Sequence, residues 1–240
     1  MHKKFILFIV EGNNDKKEIA AMLHSPYFSQ YKDRYQFEFI NLRYDITAKE
    51  GNTEKNIQGK LNEIFLNWRE SGIPYNRIKP SDVQEIVHII DMDGAFIPKE
   101  NIEYGDVGRF FYEEKRILSY TPSDAVGRNN RKSKIIKKLL TVSQIDGVPY
   151  SVYFFSCNMD HVLFDERNPT QHAKDDKARS FPFLCSQTDI LQKTIFNPSI
   201  AAQGTYDESW MEIQDDHKSL GRYTNFNLFF GDKAKNQKNK

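Results

Sequence analysis

The apolar positions along the chain fall into alternating short runs and helical periods. Residues 4–10, "KFILFIV", are a continuous run rich in Ile, Val and Phe, the pattern of a strand covered on both faces. A helix is predicted next, with Asn13 or Asn14 as N-cap, Asp15 at the positive end of its dipole, and Ile19, Met22 and Leu23 on one face before Pro26 stops it. "YQFEFINL" (35–42) alternates aromatic and polar side chains and reads as a strand exposed on one side. From Thr53, a capable N-cap, Ile57, Leu61, Ile64 and Trp68 recur at helical intervals until Gly72 and Pro74. "VQEIVHIID" (83–91) is a second buried strand, residues 95–127 read as a loop, 129–140 as a helix on Ile135, Ile136, Leu139 and Leu140, and "YSVYFFS" (150–156) as a further strand. Strands alternating with helices imply an α/β fold with a parallel sheet, in which sites form beyond the carboxyl ends of the strands.

Two of those strands end in acids, at Glu11 and at Asp91. Asp93 follows Asp91 by two, so an extended backbone would point both carboxylates the same way with Cα atoms roughly 6–7 Å apart. Mg²⁺ or Mn²⁺ suits such a pair, because a hard cation takes one or two carboxylates and completes its shell with water and phosphate oxygens. A lone DxD more often caps a helix or sits in a turn, but three anions at one sheet edge repel one another without a cation. Glu11 would then ligate a second ion or manage a proton. Asp15 is explained by its place in the first helical turn. One of Glu100, Glu103, Asp106, Glu113, Glu114 and Asp124 would add a ligand, with nothing in the sequence to choose among them.

Composition narrows the setting. With 39% apolar residues, 18 Phe and 12 Tyr, the 240-residue chain has enough core material to be globular. Thirty-four basic against thirty-three acidic side chains give no global field for nucleic acid or membrane. A nucleic acid would have to meet a local patch, and "RNNRKSKIIKK" (128–138) supplies one, with Arg128, Arg131, Lys132 and Lys134 as the candidate phosphate contacts. A solvated helix face explains the same charges. Cys157 and Cys185 are too few for a disulfide framework and fit a reducing cytoplasm. No apolar run is long enough to span a bilayer, no HExxH pair and no Walker motif are present, and "DKAKNQKNK" reads as a disordered tail.

"FIVEGNND" followed by "IIDMDG" resembles the Toprim domain of topoisomerases, primases and the OLD-type and RloB-like nucleases. That resemblance implies a four-stranded, Rossmann-like parallel sheet over about residues 4–156, with Glu11 in acid-base or metal chemistry, Gly12 as the following glycine, Asp91 and Asp93 as the metal-binding pair, and Gly94 in a supporting place. Ser156 and Asn158, with Asp160 or Asp165, are similar to a polar segment after the last strand in RloB-like proteins, although a Phe-Glu pair usual there is replaced by Asp160-His161. The expected organisation is a catalytic domain over 1–157, a mostly helical extension over 158–231 that packs on the sheet, with a homodimer as one role for it, and a basic tail over 232–240. The implied activity is metal-dependent cleavage of DNA or RNA, in anti-phage defence, with any ATPase a separate partner. "DMDG" also resembles the nucleophile loop of haloacid-dehalogenase-type phosphatases, with Lys174 and Asp175-Asp176 as the remaining motifs, but there DxD lies on the first strand and here it lies on the third. A binding module that holds metal without turnover is the third class.

Overall fold

The computed structural model describes residues 3–71 and 78–235. Its central sheet runs through β1 (Lys4–Val10), β2 (Tyr35–Asn41), β3 (Val83–Asp91), β7 (Gln144–Ile145) and β8 (Val148–Ser156) in the order β2-β1-β3-β8-β7, with β9 (Tyr223–Thr224) paired to β8. The sheet is mostly parallel and flanked by helices, as the alternation of strand and helix patterns predicts. It has six strands instead of four, because β7 and β9 add antiparallel partners to β8. Both are two residues long and too short to leave a periodic signal. The chain divides into two compact units, residues 1–89 with 131–152 and residues 90–130 with 153–240, so the divisions fall inside β3 and β8.

In the first unit, β1 pairs in parallel with β2 from Lys4↔Tyr35 to Val10↔Asn41 and with β3 from Phe5↔Val83 to Ile9↔His88. Pairing on both edges and burial on both faces account for its unbroken apolar run. Helix α1 (Asn13–His24) starts from Gly12 as N-cap, one residue earlier than the asparagines suggest. The Asp15 carboxylate accepts from the Gly12 N–H at 2.8 Å, so a side chain in the first turn fixes the start. A short helix, α2 (Ser29–Lys32), leads to the half-buried β2. Helix α3 (Ile57–Ser71) buries Ile57, Leu61 and Phe65, and Trp68 lies edge-on to Phe5 with ring centroids 6.3 Å apart. It begins four residues after Thr53, which forms a turn with Asn56 instead, and the stop signals at Gly72 and Pro74 lie outside the described residues.

Polar groups are also buried here. Lys132, fully buried, donates to Asp45 Oδ2 at 2.7 Å, and Asp45 Oδ1 accepts from the Thr47 N–H at 2.8 Å and from its hydroxyl. Burial alone would raise the Asp45 carboxyl, but the Lys132 ammonium and the bonds from Lys132 and Thr47 outweigh it and hold it below its ordinary value. His88 on β3 is fully buried, with Nδ1 2.7 Å from the Tyr150 hydroxyl and Nε2 without a hydrogen bond.

The second unit contains a small sheet in the segment read as a loop: β4 (Ile102–Tyr104), β5 (Phe111–Tyr112) and β6 (Ile117–Ser119), ordered β4-β6-β5. Two- and three-residue strands separated by charged turns carry no readable alternation. Helix α4 runs from Pro122 to Leu139, seven residues longer at its start than expected, with proline at its first position, where its missing N–H costs nothing. After β8 come α5 (Met159–Phe164), α6 (Gln171–Gln187), α7 (Ile190–Lys193), α8 (Tyr206–Glu212) and α9 (Phe226–Lys235), so this portion is mostly helical. Its aromatics make core: Phe154 meets Trp210 at 4.9 Å, and Phe226, Phe229 and Phe230 pack on one another. The expected tail enters α9 as far as Lys235, and 236–240 lie outside the described residues.

Burial holds the His88 imidazole down at about 4, against an ordinary value near 6.5. Protonation would also leave an Nε2–H with no acceptor. A histidine that is neutral when folded and titrates normally when unfolded contributes stability above pH 6.5 that is lost as the pH falls towards 4. Chemical denaturation should show an unfolding free energy that drops by about 3 kcal/mol more in the wild type than in His88→Gln between those limits, at 1.36 kcal/mol per pK unit.

Candidate functional site

The "DMDG" segment forms a tight turn at the carboxyl end of β3. Asp93 and Gly94 have φ of +51° and +70°, and the Ala95 N–H donates to the Met92 carbonyl at 2.9 Å, as in a turn whose two central residues are both left-handed. Asp accepts this conformation better than most residues, and Gly accepts it without penalty. Asp146-Gly147, between β7 and β8, does the same with φ of +47° and +76°. The backbone alone therefore explains a DG pair at 93–94. The expectation of an extended DxD fails here: with Asp93 left-handed, strand alternation no longer sends the two carboxylates the same way.

Nearly every backbone group of the turn is used. The Met92 N–H donates to the Phe155 carbonyl at 2.9 Å, the Asp93 N–H to the Cys157 carbonyl at 2.7 Å, and the Gly94 N–H to the Ser219 carbonyl at 2.9 Å. On the acceptor side, Arg128 Nη2 donates to the Asp93 carbonyl at 2.6 Å and Asn129 Nδ2 to the Gly94 carbonyl at 2.7 Å. Arg128 is buried, donates also to the Tyr112 hydroxyl at 2.7 Å and the Asn129 carboxamide oxygen at 2.7 Å, and stacks over the Phe110 ring at 4.5 Å. Its Nη1 lies 4.0 Å from Asp93 Oδ2, so the Asp93 carboxylate has a cation beside it.

Asp91 is placed differently. Its Oδ1 accepts the N–H of Met159, the first residue of α5, at 2.9 Å. The N-cap, Asn158, accepts from the His161 N–H at 2.9 Å and donates to the Arg167 carbonyl at 2.8 Å, which fixes the helix start against which Asp91 sits. Cys157 is fully buried, and burial, followed by the charges of Asp93 and Asp91, raises its thiol well above the ordinary value, so it is no nucleophile.

The other candidates divide sharply. Glu11 follows β1 in the first unit and is half-buried, and Gly12 and Asp15 form the cap of α1. Ser156 is buried and donates to the Lys218 carbonyl at 2.9 Å. Three of the four basic candidates are internal ties. Arg128 holds the turn, Arg131 donates to the Ala48 carbonyl at 2.8 Å, and Lys132 is sealed against Asp45. Only Lys134 of the four is exposed, because α4 is covered on more of its surface than its apolar stripe indicates. Asp160 is buried with Lys174 3.2 Å away, which gives Lys174 a carboxylate partner outside any phosphatase motif. Asp165 is exposed, 3.3 Å from Arg222. Of the acids of 95–127, Glu103 and Glu113 flank Arg116, and no group of three His, Cys, Asp or Glu poised for a metal exists among the described residues.

As a donor set, Asp91 and Asp93 fit Mg²⁺ or Mn²⁺ in one form only, in which two carboxylates at most come from the protein and water and phosphate oxygens supply the rest. A cage made wholly of protein ligands does not fit. No family model, curated protein or solved structure matches the chain. Among the described residues, no helix is long and apolar enough to cross a membrane. The residues that sequence reasoning missed are Asn129, Tyr112 and Arg167: Asn129 lies in the basic stretch at 128–138 but has no charge to mark it, and Tyr112 and Arg167 lie in no motif.

A Cβ on Gly94 would come within 2.8 Å of Leu220 and 2.9 Å of Ile117, at a φ of +70°. Gly94→Ala is therefore expected to cost about 2–4 kcal/mol of stability, from overpacking and left-handed strain together, as measured by denaturant unfolding.

Proposed function

We propose that the protein is a Mg²⁺- or Mn²⁺-dependent phosphodiesterase that cleaves DNA or RNA. The observation that carries this reading is the pinned DMDG turn at the carboxyl end of β3, which holds two carboxylates without thiolate or imidazole among them, the donor chemistry of a hard divalent ion. Asp91 and Asp93 would hold the ion, and a bound ion would polarise the scissile phosphate. Asp91 is oriented by the Met159 N–H. Arg128 keeps the backbone of Asp93 in place and remains beside its carboxylate. The Toprim resemblance supports the assignment and extends it to a defence role with a separate ATPase partner.

The test is cleavage of plasmid DNA and of RNA by the purified full chain under Mn²⁺ titration. Asp91→Asn should lose at least about 100-fold in rate, more than the 10–100-fold typical of a group outside the ligand shell. Cleavage that Asp91→Asn leaves intact would overturn the reading. Metal and nucleic acid binding with no cleavage would make the protein a binding module, and turnover of a phosphomonoester alone would favour the phosphatase class.

A further inference from the structure

An open pocket of about 520 Å³ in the second unit has β5 on one side and the segment after α5 on the other. That volume admits a phosphate group with an attached sugar or base. Its walls are tied together, because the Asn168 carboxamide accepts from the Tyr112 N–H and donates to the Tyr112 carbonyl, both at 2.8 Å. The Arg167 carbonyl is held by Asn158, the residue before the Met159 whose N–H binds Asp91. A continuous chain of hydrogen bonds and one peptide link thus joins this pocket to the carboxylate that ends β3.

The charges of the lining are paired in an unusual way. Four carboxylates line the pocket, and three have cations from outside it: Glu113 with Arg116, Glu166 with Lys177, and Asp165 with Arg222. Arg167, the arginine of the lining, has none of them. Its Nε is buried without an acceptor, and its guanidinium makes no hydrogen bond or ion pair among the described residues. A buried guanidinium N–H carries its full desolvation cost until an acceptor arrives. The planar fork of arginine matches phosphate oxygens. The neighbouring His161, whose Nδ1 accepts the Cys157 N–H at 3.1 Å, is held by burial and by the Arg167 charge at about 4 and is neutral at pH 7. At neutral pH the lining therefore offers one uncommitted cation.

We infer that Arg167 is a phosphate-binding residue, taking a phosphate group of a nucleic-acid strand in this pocket, which Asn158 and Met159 link to Asp91. The inference rests on the nuclease reading, and it supplies the backbone contact that Arg128, Arg131 and Lys132 of α4, tied to internal partners, do not. The phosphate is either an internal diester or a strand end.

Binding is measured on the full chain in EDTA, with labelled single-stranded DNA of about 20 nucleotides bearing either a 5′-hydroxyl or a 5′-phosphate. Arg167→Gln should weaken binding about tenfold and lower the slope of log affinity against log salt by about one. Loss on both probes assigns an internal diester, and loss on the phosphorylated probe alone assigns a strand end. Glu114→Gln removes the remaining carboxylate of the pocket from an exposed position and should tighten binding about two- to threefold. If Arg167→Gln fails to fold, as read by thermal unfolding, Glu114→Gln decides. Unchanged affinity in the folded variants overturns the inference while Asp91-dependent cleavage would leave the nuclease reading standing. Weakened binding without any cleavage by the wild type upholds the phosphate site and removes the nuclease reading.

Discussion

The buried guanidinium of Arg128 is the constraint around which the candidate site is arranged. One side chain reaches the Asp93 carbonyl, the Tyr112 hydroxyl and the Asn129 carboxamide, and Asn129 in turn holds the Gly94 carbonyl. A left-handed Asp is costly to keep unless its neighbours over-determine it, and here most of the turn's backbone groups are bonded from outside the turn. A charge placed beside the Asp93 carboxylate also offsets an anion that would otherwise sit half-buried. The result is a fixed platform, whatever chemistry is performed on it.

The same arginine shows how far sequence reading reaches. The strands at 4–10, 83–91 and 150–156 and the helices after Gly12 and over 129–139 were legible because long, regular elements repeat their apolar positions often enough to be counted. The small sheet at 102–119 and the added strands β7 and β9 were not, since two or three residues cannot display a period. The cations at 128–138 were legible as charges and misleading as a surface. Lys132 and Arg128 are buried by tertiary partners, Asp45 and the DMDG turn, that lie far away in sequence.

Within the candidate site, Asp91 and Asp93 were found by spacing, while their environments were not. The φ of +51° at Asp93 changes what the DxD spacing means, and only the DG dipeptide hinted at it. Arg167 had no signal at all, lying in "DERNP" among other polar residues. Its distinction is the absence of an acceptor at Nε, a property of three-dimensional pairing that no local pattern encodes.

The Lys132–Asp45 pair has an evolutionary consequence. Removing one partner leaves an uncompensated charge in the interior, at a cost of about 3–5 kcal/mol, whereas replacing both with well-packed apolar side chains of similar volume is often neutral. With Lys132 fully buried, the two positions behave as one heritable unit. Chains descended from a common ancestor should keep both charges or lose both, and the loop at 45–48 should drift in step with the third turn of α4, 87 residues away.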